Sequence, residues 1–136
     1  MEKTLVVIKP DAFARGQVGL TLTAFEQHNG LKLDILYSNK MTREYAEKFY
    51  IEHYGKHFYD RLINFMVSGP VLFVVVDGKN AIKECRTIIK SIRETEADPQ
   101  HPEKNMVHGS DSVKSAEREI RLVYEMLADR VYSIQE

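Results

Sequence analysis

Val71-Leu72-Phe73-Val74-Val75-Val76 is an unbroken apolar run between two turn signals, Ser68-Gly69-Pro70 before it and Asp77-Gly78 after it. A short β-branched run bounded in this way reads as a central strand buried on both faces. Such a strand needs a covering layer on each side, so the rest of the chain is read for those layers. Upstream, Leu5 to Ile8 is a second β-rich run, ended by Lys9-Pro10-Asp11. Pro10 biases Lys9 toward an extended backbone, which places the lysine at a strand end facing a loop.

The segments between and after these strands alternate in period. Val18, Leu22 and Phe25 share one helical face, predicting a helix from about Gly16 to Asn29 with Gly30 as its stop. Leu31, Leu33, Ile35 and Tyr37 alternate with Lys32, Asp34 and Ser38, a strand with one wetter face. Thr42 is a candidate N-cap for a stripe of Tyr45, Ala46, Phe49 and Tyr50. Gly55 interrupts, and Phe58, Leu62 and Phe65 resume helical spacing.

Downstream of the central run, Ile82, Cys85 and Ile89 mark a helix with Arg86 near its edge. Residues 91–104 are charged and contain Pro99 and Pro102, so most of this segment is expected to be loop. Met106-Val107 is a very short strand candidate. Val113, Ala116, Ile120 and Val123 form a last amphipathic helix, continuing or restarting through Leu127. The order predicts an α+β domain over residues 1–136: a ferredoxin-like split βαβ, with a four-stranded antiparallel sheet covered by helices.

Composition narrows the classes of function. The 136 residues are 43% hydrophobic and 29% charged, values of a folded globular chain rather than a disordered or fibrous one. A formal net charge of -1 provides no global attraction to nucleic acid or anionic membrane, so any anion site must be a local cluster of cations. Cys85 is the lone cysteine, which excludes an internal disulfide and fits a reducing compartment. The N-terminal apolar run is too short for a signal peptide or a membrane span. The expectation is a soluble, cytoplasmic domain.

The chemistry concentrates in Asn105-Met106-Val107-His108-Gly109-Ser110-Asp111-Ser112. The imidazole of His108 is a competent nucleophile at neutral pH. Gly109 allows close approach of backbone or ligand, and Ser110, Asp111 and Ser112 are N-cap residues that predict a helix start beside the imidazole. In that helix Ser112, Ser115 and Glu119 form one polar stripe, and a carboxylate there is placed to hold the ring tautomer.

Lys9, Arg86 and Arg93 are cations at element ends, of the kind a polyphosphate needs. Both common glycine-rich phosphate cradles are missing from the sequence, so a phosphate site here must be built from side chains. His53 and His57 have the spacing of two metal ligands on a helix, but Gly55 lies between them and no third ligand is evident, so no protein-held metal is expected.

These residues resemble the nucleoside diphosphate kinase family. The resemblance runs from about Thr4 to Val123 and rests on Val7-Ile8-Lys9-Pro10-Asp11, Arg15-Gly16, Phe65-Met66-Val67-Ser68-Gly69-Pro70 and the whole stretch from Asn105 to Ser112. It implies a ping-pong transfer in which a nucleoside triphosphate such as ATP passes its γ-phosphoryl to His108 and a nucleoside diphosphate then collects it. Mg²⁺ would enter on the nucleotide phosphates. By the same resemblance, Lys9 meets the transferring phosphate, Tyr50 and Ser110 support the histidine, and Glu119 orients it. Arg86 binds phosphate, Phe58 and Leu62 sandwich the base, and Asn105 contacts the ribose 3′ hydroxyl.

The chain departs from the family between Thr87 and Lys104, where it is about ten residues shorter. Ser91-Ile92-Arg93 could retain the family's second phosphate-binding arginine, or Glu94-Thr95-Glu96-Ala97-Asp98 could match its threonine-bearing part with the arginine lost. The first is preferred because it keeps a polyphosphate clamp. The shortened segment packs between subunits in hexameric relatives, which calls the hexamer into question and leaves a dimer as the expected homo-oligomer. Two other functions compete with the active kinase. One is a regulatory nucleotide-binding module with weak turnover. The other is nucleic-acid binding, against which stand the net charge and the lack of a visible basic stripe.

Overall fold

The computed structural model describes residues 2–96 and 99–135. Four strands, β1 (Glu2–Ile8), β2 (Leu31–Asn39), β3 (Val71–Gly78) and β4 (Val107–Gly109), form one sheet in the order β2-β3-β1-β4. Every neighbouring pair is antiparallel, with Val6 opposite Val74 and Val7 opposite both Phe73 and His108. The helices are α1 (Pro10–Ala14), α2 (Val18–Glu26), α3 (Arg43–Phe49), α4 (Tyr59–Met66), α5 (Ala81–Glu96) and α6 (Val113–Gln135), with a 3₁₀ turn over Ile51–His53. This is the expected ferredoxin-like α+β architecture.

The central run behaves as its composition demands. Val71 to Val76 are all buried, and alternate side chains enter two separate cores because successive Cβ atoms leave opposite faces of a strand. Leu5, Val7, Val71, Phe73 and Val75 pack with Phe49, Leu62, Ile63, Met66, Val123 and Met126 under α3, α4 and α6. Val6, Ile8, Leu72, Val74 and Val76 pack on the other face with Phe25, Ala81, Cys85 and Ile89 from α2 and α5. Burial pushes the Cys85 thiol up to about 12, so it is a core residue and not a reactive one.

Several local expectations need correction. Lys9 is extended, but Pro10 opens the short helix α1 instead of a loop, at the N1 position where a missing N–H costs nothing. Gly16 has φ +66°, outside the helical region, so α2 begins at Val18. It ends at Glu26, well before Gly30, because the chain already turns at His28: its carbonyl accepts from Leu31 N (3.1 Å) and its Nδ1 from Gly30 N (3.2 Å). Residues 91–96 are helical, not loop. Ile88, Ile89 and Ile92 continue the apolar stripe of α5, and the charged residues of this segment are the helix's outer face. Ala97-Asp98 lie outside the described residues. The terminal helix is continuous from Val113 to Gln135. Thr42 is the N-cap as read, its Oγ1 accepting from Tyr45 N at 3.2 Å.

Candidate active site

His108 sits within β4, not after it as the Met106-Val107 strand reading implied, and the pairing with Val7 holds its backbone in the sheet. A Cβ on Gly109 would crowd the Cδ1 end of Ile89 on α5, so the glycine lets that helix pack close to β4, and Gly109 also lines the groove beside His108. Ser112 caps α6, accepting from Ser115 N at 3.1 Å.

The helix start brings Glu119 back over the imidazole. Glu119 Oε1 accepts from His108 Nε2 at 2.9 Å and from Ser110 Oγ at 2.9 Å. Ser110 is in turn held by the β1 backbone, where Leu5 N donates to its Oγ at 3.2 Å and its own N donates to Leu5 O at 3.1 Å. A carboxylate partner assigns the hydrogen to Nε2 and leaves Nδ1 with its lone pair. Nδ1 makes no hydrogen bond among the described residues. The rings of Phe49 and Tyr50 flank the imidazole edge-on at centroid distances of 5.2 and 5.7 Å. Tyr50 supports the ring by this contact; its buried hydroxyl finds no partner among the described residues. Burial, reinforced by the Glu119 charge, holds that phenol well above its ordinary range.

His108 opens on a cleft of about 380 Å³ whose lining includes Lys9, Tyr50, Phe58, Leu62, Arg93 and Asn105. Lys9 Nζ donates to Asn105 Oδ1 (2.7 Å) and Glu103 O (3.2 Å). Its burial, helped by the nearby Arg93 charge, lowers its pKa to about 7. Arg93 Nη2 donates to Val107 O at 2.9 Å, while its Nε is buried without a partner among the described residues. Burial also lowers the Arg93 pKa. Phe58 stands at the cleft wall against the rings of His53 (5.3 Å) and His57 (5.5 Å), whereas Leu62 is 7% exposed and belongs mainly to the core.

Arg86 is the exception among the predicted residues. It faces a second, larger groove of about 1140 Å³ that also reaches His108, His53 and Arg93, and its guanidinium is paired with Asp111. Lys83, Arg86, Lys90 and Arg93 all line this groove from α5. The expectation of no basic stripe is therefore not met: Lys83, Arg86 and Lys90 recur at helical spacing, and the continuation of α5 past residue 90 adds Arg93.

Other residues at the site had no role in the sequence reading. Met106 has φ +76°, and Val107 N donates to Asn105 O at 2.9 Å, so Asn105-Met106-Val107 is a positive-φ γ-turn of the strained kind. The turn is held by Asp11 Oδ2, which accepts from Met106 N at 2.9 Å, and by Lys9 N, which donates to Met106 O at 2.9 Å. Lys9-Pro10-Asp11 thus builds the floor under Asn105. Glu103 lies 2.9 Å from Arg61 Nε at the cleft rim. No sequence signal singles out Glu103 or Arg61; Asp11 follows the proline but nothing local shows its distant partner.

The chain matches the nucleoside diphosphate kinase family model over residues 2–128. The chain belongs to the nucleoside diphosphate kinase family. It is 43% identical over 132 residues to the nucleoside diphosphate kinase of Methanocaldococcus jannaschii, covering 90% of this chain and 93% of that protein. It is 42% identical to that of Listeria monocytogenes serotype 4a, covering 91% and 89%. Among solved structures, the Aquifex aeolicus nucleoside diphosphate kinase superposes with a TM-score of 0.79 at 36% identity, covering 90% of this chain and 94% of that one. The Encephalitozoon cuniculi enzyme gives 0.78 at 34%, covering 90% and 88%. Membership makes this chain a phosphotransferase and disfavours the alternative of a regulatory module. Among the described residues, no helix is long and apolar enough to cross a membrane, and no three His, Cys, Asp or Glu side chains gather as a metal site.

Proposed function

We propose that this nucleoside diphosphate kinase moves the γ-phosphoryl of a nucleoside triphosphate to a nucleoside diphosphate through a phosphohistidine on His108. The observation that carries the reading is the buried Glu119 carboxylate on Nε2, which leaves Nδ1 unprotonated in a cleft where Lys9 and Arg93 converge. In the first half-reaction Nδ1 attacks the γ-phosphorus, an N–P bond forms, the P–O bond to the β-phosphate breaks and the diphosphate leaves. A second diphosphate reverses these events with its own β-phosphate oxygen. No proton has to move, because Nε2 keeps its hydrogen toward Glu119 throughout.

Lys9 and Arg93 offset charge on the transferring group, and the wasted donor capacity of Arg93 Nε supports a clamp awaiting an anion. Thr95, by contrast, is exposed and bonds Ser91 O and Ile92 O within its own helix, which favours Ser91-Ile92-Arg93 as the retained clamp. Arg86 would add a cation from the adjoining groove. Phe58 and Leu62 accept the base, and Asn105, whose Oδ1 is taken by Lys9, turns its amide N–H₂ to the ribose 3′ hydroxyl. Stacking hardly distinguishes bases, which suits a broad nucleotide range.

The acidic groups beside the cleft are already engaged, Asp111 by Arg86 and Glu103 by Arg61. This fits Mg²⁺ carried in on the phosphates, where it would neutralise oxygen charge, with no protein cage. We also infer a cytoplasmic homo-oligomer built from dimers, a reading supported by the exposed apolar Leu20 on α2 and Ile35 on the edge strand β2. No nucleic-acid role is assigned: the chain's formal net charge is -1, and Glu94 lies at the end of the α5 stripe beside Arg93.

The test is intact mass spectrometry after brief exposure to ATP and Mg²⁺, then a GDP chase, with His108→Ala alongside. The expected result is one acid-labile phosphoryl that GDP removes and the variant never acquires. An adduct on His108→Ala, or none on the native protein, contradicts the mechanism.

A further inference from the structure

Arg118 precedes Glu119 on α6 and lines neither cleft. Its guanidinium nonetheless ties three parts of the site together. Nη1 donates to Lys48 O at 3.1 Å and Nη2 to Phe49 O at 3.2 Å, carbonyls at the C-terminal end of α3 where a cation complements the helix dipole. Nη2 also donates to Glu52 Oε1 at 3.2 Å, and Glu52 is fixed from the other side by Ser115 Oγ at 2.9 Å. Finally, Nη2 lies 3.7 Å from Glu119 Oε2, the carboxylate oxygen that His108 does not use.

The end of α3 is where the aromatic wall of the nucleophile begins. Phe49 and Tyr50 follow the carbonyls that Arg118 holds, and their rings are the ones packed on His108. On Glu119, Oε1 is anchored by His108 and Ser110. A carboxylate held by one oxygen still turns about its last bond, since that torsion has a broad minimum. The Arg118 charge opposite Oε2 removes this freedom. An exposed Arg–Glu pair would be worth little, but this side chain spans two carbonyls and two carboxylates and is 32% exposed.

We infer that Arg118 is a positioning residue for the transfer step, holding Glu119 and the Phe49–Tyr50 wall so that the His108 ring stays aimed into the cleft. The inference rests on the phosphohistidine reading above. Misplacement of a reacting group by about 1 Å can cost about 100-fold in rate, so an indirect residue of this kind leaves its mark on the chemical step and not on binding.

Single-turnover phosphorylation by ATP and Mg²⁺, with steady-state kcat and KM, tests it in four proteins. Arg118→Met is expected to slow His108 phosphorylation about tenfold while KM stays within about twofold. Arg118→Lys keeps a cation opposite Glu119 without the fork and should run about threefold faster than Arg118→Met. Arg121→Met, which removes an exposed cation from the same helix, should match the native protein. A native rate in Arg118→Met, a loss carried by KM, or Arg118→Lys no faster than Arg118→Met would each reduce Arg118 to a structural tie and overturn the inference. Should Arg118→Met fail to fold by circular dichroism, Arg118→Lys decides: a slower step at unchanged KM supports the role and a native rate overturns it. Absence of any adduct on the native protein would instead overturn the phosphohistidine reading.

Discussion

His108 Nε2 and Glu119 Oε1 lie 2.9 Å apart with only 14% and 5% of their side chains exposed. A carboxylate buried this far costs free energy unless it is bonded, and Ser110 and His108 supply those bonds. The pair sets which imidazole nitrogen faces the cleft. Glu119→Ala should therefore lower kcat by about 10- to 100-fold, the usual effect of removing a partner that orients a histidine, with nucleotide KM little changed. Steady-state kinetics on ATP and GDP check this; an unaltered kcat would remove Glu119 from the mechanism.

Lys9 makes the activity and the stability respond to pH in opposite ways. With its pKa lowered to about 7, the free enzyme loses the Lys9 charge as pH rises through that value, so kcat/KM should fall above neutrality. The stability sign follows from linkage. Between about 7 and the ordinary 10.5, the unfolded chain holds the proton and the native chain does not. Unfolding then takes up a proton, and this group's contribution to stability rises with pH across that window. Thermal midpoints of the native protein at pH 7 and 9 should rise relative to those of Lys9→Met; parallel curves would contradict the shifted lysine.

Arg93 is held half-buried with one donor unused. Replacing it with Met should weaken nucleotide triphosphate binding by about tenfold or more, as loss of a charge-assisted phosphate bond does. The same change should cost the apo protein about 1 kcal/mol, because it takes the Nη2 donor from the buried Val107 carbonyl, a loss only partly offset by removing the unpaired Nε. Calorimetric titration together with thermal unfolding separates the two effects. Thr95→Ala should bind normally; if it were the weaker binder, the rival placement of the shortened segment would be right.

Asp11 is a stability prediction at the floor of the site. Its Oδ2 satisfies Met106 N inside a strained turn, so Asp11→Ala leaves a buried N–H without an acceptor and should cost about 1–3 kcal/mol. Denaturant unfolding measures this. Asp11→Asn, which keeps an oxygen acceptor, should lose less; equal losses would mean that the carboxylate matters for a different reason.

Much of the fold was written locally. The apolar runs at Leu5–Ile8 and Val71–Val76, the alternation from Leu31 to Tyr37 and the stripes of α3, α4, α5 and α6 all mark real elements, because periodicity reports which face of an element leaves water. Errors fell at boundaries, where composition misleads. Residues 91–96 looked like loop because they are charged, yet Ile92 keeps them on the sheet. Gly16 looked helical by position, although its φ is positive.

The chemistry divides in the same way. The residues from Asn105 to Ser112, with Lys9 and the Ser112-Ser115-Glu119 stripe, single out the proposed nucleophile and its candidate partners in the sequence, because helical spacing and residue chemistry are local properties. Tertiary structure alone decides that Lys9 Nζ meets Asn105 Oδ1 across 96 positions, that Asp11 pins the Met106 turn and that Arg118 clasps α3. Those contacts depend on strand register and helix packing, which bring distant residues within hydrogen-bond range. No local pattern encodes them, since each partner alone is an ordinary polar residue until the sheet closes around it.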